Sequence, residues 1–223
     1  MPPLEAAVIE QAILAAWESV QTQSMPPSEA ILLWQNHGST VYIDDDWGPS
    51  VPYPPADHED GTRNNGYRSL KGNEQAVYAI PEAQGCPALQ RFLVQLNRLE
   101  SPVETVGCEQ GFFPIEGHES IQTSLGSYTD IMFSDPRKNA HLESFIRLAA
   151  HLVAATDGCE QRGGTVEIGF HLLRRLDGCD CPWGLMLRVG NVGRSEAEAQ
   201  QLWEETLARL GAAIGSLSNG FPN

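Results

Sequence analysis

The amino-acid sequence predicts an α+β fold: a mainly antiparallel sheet built from hairpins, with about four helices packed against it. Two observations carry that expectation. Strand-like stretches occur in pairs joined by turn residues, and helical stretches stand between the pairs, whereas single strands alternating with single helices would mark a parallel sheet. A third sets the class: 41% of the 223 residues are hydrophobic and only 19% are charged, the composition of a globular chain long enough to bury a continuous core. We expect one domain over 1–223, carrying a long Pro/Gly/Asp-rich loop at about 44–73.

At the start of the chain, Ile9, Ile13, Ala16, Trp17 and Val20 keep the helical period across residues 3–22, with Glu5, Glu10 and Glu18 off that stripe. Met25-Pro26-Pro27 ends it, because proline disfavours helix in the residue before it. Ala30–Trp34 and Thr40–Ile43 read as a hairpin turned by Gln35–Ser39, where Asn36 and Gly38 suit positive φ. Over 44–73 periodicity gives way to Pro49, Pro52, Pro54 and Pro55 interleaved with glycines, which predicts an irregular loop, and loops of that length are usually functional or disordered. Gln75–Ile80 reads as a strand. Gly85-Cys86-Pro87 then opens a helix with Leu89, Phe92, Leu93, Leu96 and Leu99 on one face, proline being at ease in a first turn.

Pro102–Phe133 is rich in Thr, Val, Ile and aromatics, and Gly107, Gly111, Gly117 and Gly126 divide it into three short antiparallel strands. Asp135-Pro136 starts a helix reaching Thr156, with Leu142, Phe145, Ile146, Ala149 and Val153 buried. Alternation of Val166, Ile168, Phe170 and Leu172, then of Leu185, Leu187 and Val189, predicts a long hairpin. Ser195–Glu198 is a capping box for a closing helix along Ala199, Leu202, Thr206, Leu210, Ala213 and Leu217.

Charge narrows the function classes. Fourteen basic residues against 29 acidic ones give −15, a surface that repels polyphosphates and anionic lipid, so no direct nucleic-acid binding and no membrane association are expected. Lys and Arg are absent before Arg63, whereas ten acids precede it. An acidic opening Met1-Pro2-Pro3-Leu4-Glu5 lacks the positive start of a secretory signal, and five cysteines spaced by 22, 51, 20 and 2 match no disulfide scaffold. We therefore expect a cytoplasmic protein with reduced thiols.

Phosphate-binding and nucleophile-elbow glycine motifs are missing, and His118-Glu119 lacks the second histidine of a metalloprotease helix. Cys159, Cys179 and Cys181, with His151 and His171, suggest a metal. A strand over 165–176 would separate Cys159 from Cys179 by roughly 30 Å at ~3.3 Å per residue, so neither a metal nor another cofactor is expected. Cys86 is the weak catalytic candidate, because a helix N-terminus stabilises a thiolate. It needs a base such as His37, His58 or His118.

The acidic clusters Asp44-Asp45-Asp46-Trp47 and Asp57-His58-Glu59-Asp60 depart from the Ca²⁺-loop pattern. With Tyr53 and Tyr67 they suit a basic protein surface, carboxylates steering the encounter and aromatics anchoring it. The expected site is thus Asp44, Asp45, Asp46, Trp47, Tyr53, Asp57, Glu59, Asp60 and Tyr67, in a non-enzymatic inhibitor, immunity protein or adaptor. The alternatives are a thiol-dependent hydrolase or transferase using Cys86, and a small-ligand binder with its pocket between sheet and helices under the 44–73 loop.

Overall fold

A computed structural model describes residues 5–21, 30–36, 38–57, 61, 63–115, 120–175 and 183–217, without the side chains of 45–47, 162 and 175. The fold is α+β. Six strands form the main sheet in the order β1 (Ile31–Asn36), β2 (Ser39–Val51), β7 (Gly164–Arg175), β8 (Trp183–Gly193), β6 (Thr123–Phe133) and β5 (Val103–Pro114). A separate short ribbon pairs β3 (Ala56–Asp57) with β4 (Arg63–Asn64). All neighbours in the main sheet run antiparallel except β2 and β7, which are parallel.

The four long helices among the described residues are α1 (Ala6–Gln21), α3 (Pro87–Leu96), α5 (Leu142–Ala155) and α6 (Glu196–Ser216). They cover one face of the sheet, with α1 against α5 and β1, α6 against β8 and β6, and α3 against α6 and β5. Alternation dictates this inner face. Leu125 and Ile131 of β6, Val166, Ile168 and Phe170 of β7, and Leu185, Leu187 and Val189 of β8 are all buried in the main core. The helix α5, sandwiched between sheet and neighbouring helices, buries Leu148, Ala150 and Leu152 beside the expected stripe. At the head of α6, Ser195 Oγ accepts from the Glu198 N–H at 3.3 Å and Glu198 Oε2 accepts from the Arg194 N–H at 2.7 Å.

The β1–β2 turn falls where Asn36 and Gly38 place it, Asn36 pairing with Ser39 and Gly38 taking φ 79°. Elsewhere four boundaries differ from the sequence expectation. The chain from 44 to 51 is no loop, since β2 continues to Val51 beside β7 through two irregularities that absorb its Gly and Pro residues. Residues 75–80 are not a strand: Asn73 Oδ1 accepts the Ala76 N–H at 3.2 Å and caps the single turn α2 (Glu74–Val77). Two long strands replace the three expected over 102–133, because Gly107, Gly111 and Gly126 lie within β5 and β6 rather than at turns.

The fourth difference is the helix expected from Pro136 to Thr156, which is two. Asn139 closes the short α4 (Pro136–Asn139) by bonding both the N–H and the C=O of Phe133, at 2.8 and 2.9 Å, and α5 restarts after His141. Leu99, expected in the core, is 69% exposed beyond the end of α3.

Asn97 joins the helix layer to the sheet. Its Nδ2 donates to Leu93 O and to Thr105 Oγ1, both at 2.8 Å, and its Oδ1 accepts the Thr105 N–H at 3.0 Å. Asn97→Ala would strand buried partners, so we expect urea denaturation to show a loss of about 3 kcal/mol. A loss within the ~0.5 kcal/mol of a surface substitution would contradict this role.

Candidate functional site

The outer face of the sheet has two regions. At the Phe133 end of β6, Val51, Val106, Met132 and Leu173 form a second small core, with Tyr53 and Tyr67 packed against it. Their rings meet edge-on at 6.2 Å, the Tyr67 N–H donates to Tyr53 O at 2.9 Å, and the Tyr53 hydroxyl donates to Val106 O at 3.1 Å. Two of the expected binding aromatics, Tyr53 and Tyr67, thus pack onto the protein's own sheet.

Beneath this cover lie two polar side chains. Asp130 of β6 and His171 of β7 are 9% and 5% exposed, with Oδ1 and Nε2 3.9 Å apart. That exceeds hydrogen-bond length, and neither atom has a hydrogen-bond partner among the described residues. Glycines make room for them. A Cβ on Gly48 would stand 2.7 Å from the His171 ring, and one on Gly184 2.9 Å from its Nε2. Burial raises the Asp130 carboxyl from its ordinary 3.8 to about 7, against the attraction of Arg188. Burial likewise lowers the His171 imidazole from 6.5 to about 4, against the attraction of Asp44. Each group favours its neutral form for the same reason, the cost of an ion without water.

Toward the other end the outer face is open. Register sets its side chains in rows across the strands: Glu109 faces Tyr128, Tyr128 faces Arg188, and Arg188 faces Glu167. Arg188 Nη1 lies 3.8 Å from Glu167 Oε2. The adjoining row is Gly111, Gly126 and Gly190, a floor without side chains. Beyond it Phe113, 59% exposed, leans over Gly126. The resulting groove has a volume of about 530 Å³.

Around the β5 edge, Glu109 and Tyr128 also line a second cleft of about 190 Å³ with Tyr53, Gly107, Cys108 and Glu82. Burial, reinforced by Glu82, Asp130 and Glu109, pushes the Cys108 thiol up to about 12, so it stays protonated. The larger groove lies on the outer face, and the smaller cleft lies at the β5 edge beneath Tyr53, Arg63, Asn64 and Glu82.

The remaining expected residues are dispersed. Asp44 is half-buried on β2, and Asp45, Asp46 and Trp47 lie on the same strand with side chains outside the described set. Asp57 is exposed on β3, 3.7 Å from Arg63, while His58, Glu59 and Asp60 lie outside the described residues. Cys86 caps α3 from within the main core, 8% exposed, and its Sγ makes no capping hydrogen bond. His37 and His118 also lie outside the described residues, and of the described histidines His151 bonds to Ala213 O and Ser216 Oγ on α6. Cys159 is buried in a short turn before β7, and Cys179 and Cys181 fall outside the described residues. Among the described residues no three metal-ligating side chains converge.

The sequence reading missed Asp130, Glu109, Tyr128 and Arg188, and met His171 only as a metal ligand. A signal did exist. Alternation breaks at Ile131-Met132-Phe133 and at Leu172-Leu173, as it must where a sheet is buried on both faces.

Comparison with protein families, with characterised proteins and with solved structures finds no match.

The buried pair makes a pH prediction. Asp130 holds a proton in the folded chain that the unfolded chain releases, so alone it loses stability as pH rises from about 4 to 7. His171 refuses a proton that the unfolded chain accepts, so alone it loses stability as pH falls from 6.5 to about 4. The two cancel across that window. Denaturation of the wild type should vary little there, Asp130→Asn should gain a rising slope with pH, and His171→Gln a falling one, each up to about 1.4 kcal/mol per unit. Slopes of the same sign in both variants would refute the assignment.

Proposed function

We propose that this chain is a non-enzymatic binding protein, of inhibitor, immunity or adaptor type, that receives a basic segment of a protein partner on the outer face of its sheet. One observation carries the reading: the helices cover a single face, and the other keeps an open groove of about 530 Å³ edged by Glu109 and Glu167 and overhung by the exposed Phe113. Carboxylates there continue the charge of −15, which attracts a basic partner over a Debye length and repels nucleic acid. Phe113 and Tyr128 supply aromatic surface of the kind that dominates interface energies. The groove, whose lining does not include Asp44, is taken as the centre of the surface in place of the 44–60 acids. A reducing, cytoplasmic setting fits five cysteines whose spacing matches no disulfide scaffold.

No described helix is long and apolar enough to cross a membrane. The thiol-enzyme alternative draws no support from the site, since Cys86 is enclosed in the core and Cys108 holds its proton.

Zero-length carbodiimide cross-linking in the native host joins carboxylates to lysines and tests this directly. We expect Glu109 or Glu167 linked to lysines of one basic protein. Links confined to the acids of α6 would contradict the reading. Against the partner so recovered, Glu109→Gln with Glu167→Gln should slow association and flatten its salt dependence while leaving stability nearly unchanged. Phe113→Ala should instead raise the off-rate, by about 2 kcal/mol. Unaltered kinetics in both variants would overturn the groove as the docking surface.

A further inference from the structure

Strand β5 ends the main sheet, and a bulge between Thr105 and Gly107 divides its free edge into two halves. Before the bulge, side chains of the protein itself close the edge. Lys71 Nζ donates to Ser101 O and to Val103 O, the Thr105 N–H donates to Asn97 Oδ1, and the Tyr53 hydroxyl donates to Val106 O at the bulge. Past the bulge the sheet ladder sets the direction of each backbone group. The Ile115 N–H donates to Gln122 O and the Val192 N–H to Gly163 O. Carried through the strand registers, these bonds turn Glu109, Gly111 and Phe113 toward β6, and Cys108, Gln110 and Phe112 toward the free edge. Among the described residues nothing bonds to the N–H or C=O of Gln110 or Phe112 on that side.

Natural sheets blunt such edges with lysine, proline or a covering element. The open half, Cys108-Glu109-Gln110-Gly111-Phe112-Phe113, carries no lysine, and proline enters only at Pro114. Its two phenylalanines point to opposite faces of the strand and both are exposed.

We propose that the basic segment of the partner binds as a seventh strand, added to the free edge of β5 along 108–112. This rests on the groove reading and says how the segment is held. Main-chain bonds to Gln110 and Phe112 supply affinity, and alternate side chains supply selectivity. Side chains on the outer face of the added strand fall in line with Glu109 and Gly111 at the margin of the groove. Glu109 is exposed and has no ion pair among the described residues, so a basic side chain beside it makes a favourable cross-strand pair. Gly111 leaves the neighbouring position open onto the glycine floor. Side chains on the inner face meet Phe112. Charge decides between occupants: a second copy brings its own −15 to this edge, whereas a basic segment is attracted to it.

The probe is a capped peptide of about six residues, alternating lysine and valine, titrated by NMR into the whole chain. We expect saturable binding that slows amide hydrogen exchange at Gln110 and Phe112 by at least about tenfold. Two further peptides carry N-methyl groups, one at its valines and one at its lysines. At least one should bind about tenfold more weakly, the valine form if the added strand is antiparallel and the lysine form if it is parallel. Gln110→Pro, checked for folding by its melting curve, removes an outward N–H that the sheet itself does not use and should weaken binding similarly. Absence of saturable binding, or equal binding by all three peptides, overturns the proposal. So does protection of Gln110 and Phe112 that grows with protein concentration in the peptide-free chain, which would place a second copy on the edge. Saturable binding that leaves exchange at Gln110 and Phe112 unchanged also overturns strand addition but leaves the groove reading standing, since that reading falls only on the cross-linking and kinetics of Glu109, Glu167 and Phe113.

Discussion

The one-sided cover of the sheet is the constraint on which the rest of this structure depends. Side chains of successive strand residues point to opposite faces, so once Ile168, Leu187 and Ile131 commit the inner face to α5 and α6, their neighbours Glu167, Arg188 and Asp130 are committed to the outer one. The buried Asp130–His171 pair and the open groove lie on that second face. Its charged rows are a consequence of the core's register, and slipping one strand by a residue would exchange them with the core.

The segment after β2 then divides the outer face. Val51, Tyr53 and Tyr67 close a small core over Val106, Met132 and Leu173. The cover buries Asp130 and His171 in surroundings that favour neither ion. Glycines at 48 and 184 fit closely around the imidazole, and Gly107 stands beside the carboxylate. Apolar burial by the small core offsets the cost of enclosing this pair. The uncovered remainder, floored by Gly111, Gly126 and Gly190, keeps its groove because those residues have no side chains to fill it.

Much of the fold was legible locally. Hairpin alternation located β7 and β8, the Ser195–Glu198 pair located the start of α6, and the helical stripe of Leu142, Phe145 and Ile146 located α5. The misread segments depend on non-local or side-chain-specific bonds. The parallel pairing of Thr40 with Glu167 and Tyr42 with Gly169 leaves no mark in either segment. Residues 44–51 read as loop because their Gly and Pro suit turns equally well, and only β7 alongside makes them strand. At 74–77 the choice of helix rests on one Asn73 cap. The site was less legible than the fold. Asp130 and His171 occupy positions where alternation predicts solvent, and the apolar runs beside them are the trace of the second layer. Tyr53 and Tyr67, read as anchors for a partner, meet edge-on, and the Tyr53 hydroxyl donates to Val106 O.

Direct NMR titration of the Asp130 carboxyl carbon and the His171 ring carbons tests the central claim, that the outer face encloses an acid and a base which burial keeps neutral. Such burial predicts an Asp130 midpoint near 7 and a His171 midpoint near 4 in the folded chain. An Asp130 midpoint close to its ordinary 3.8 together with a His171 midpoint at or above 6.5 would show a water-exposed or ion-paired couple instead, and would contradict it.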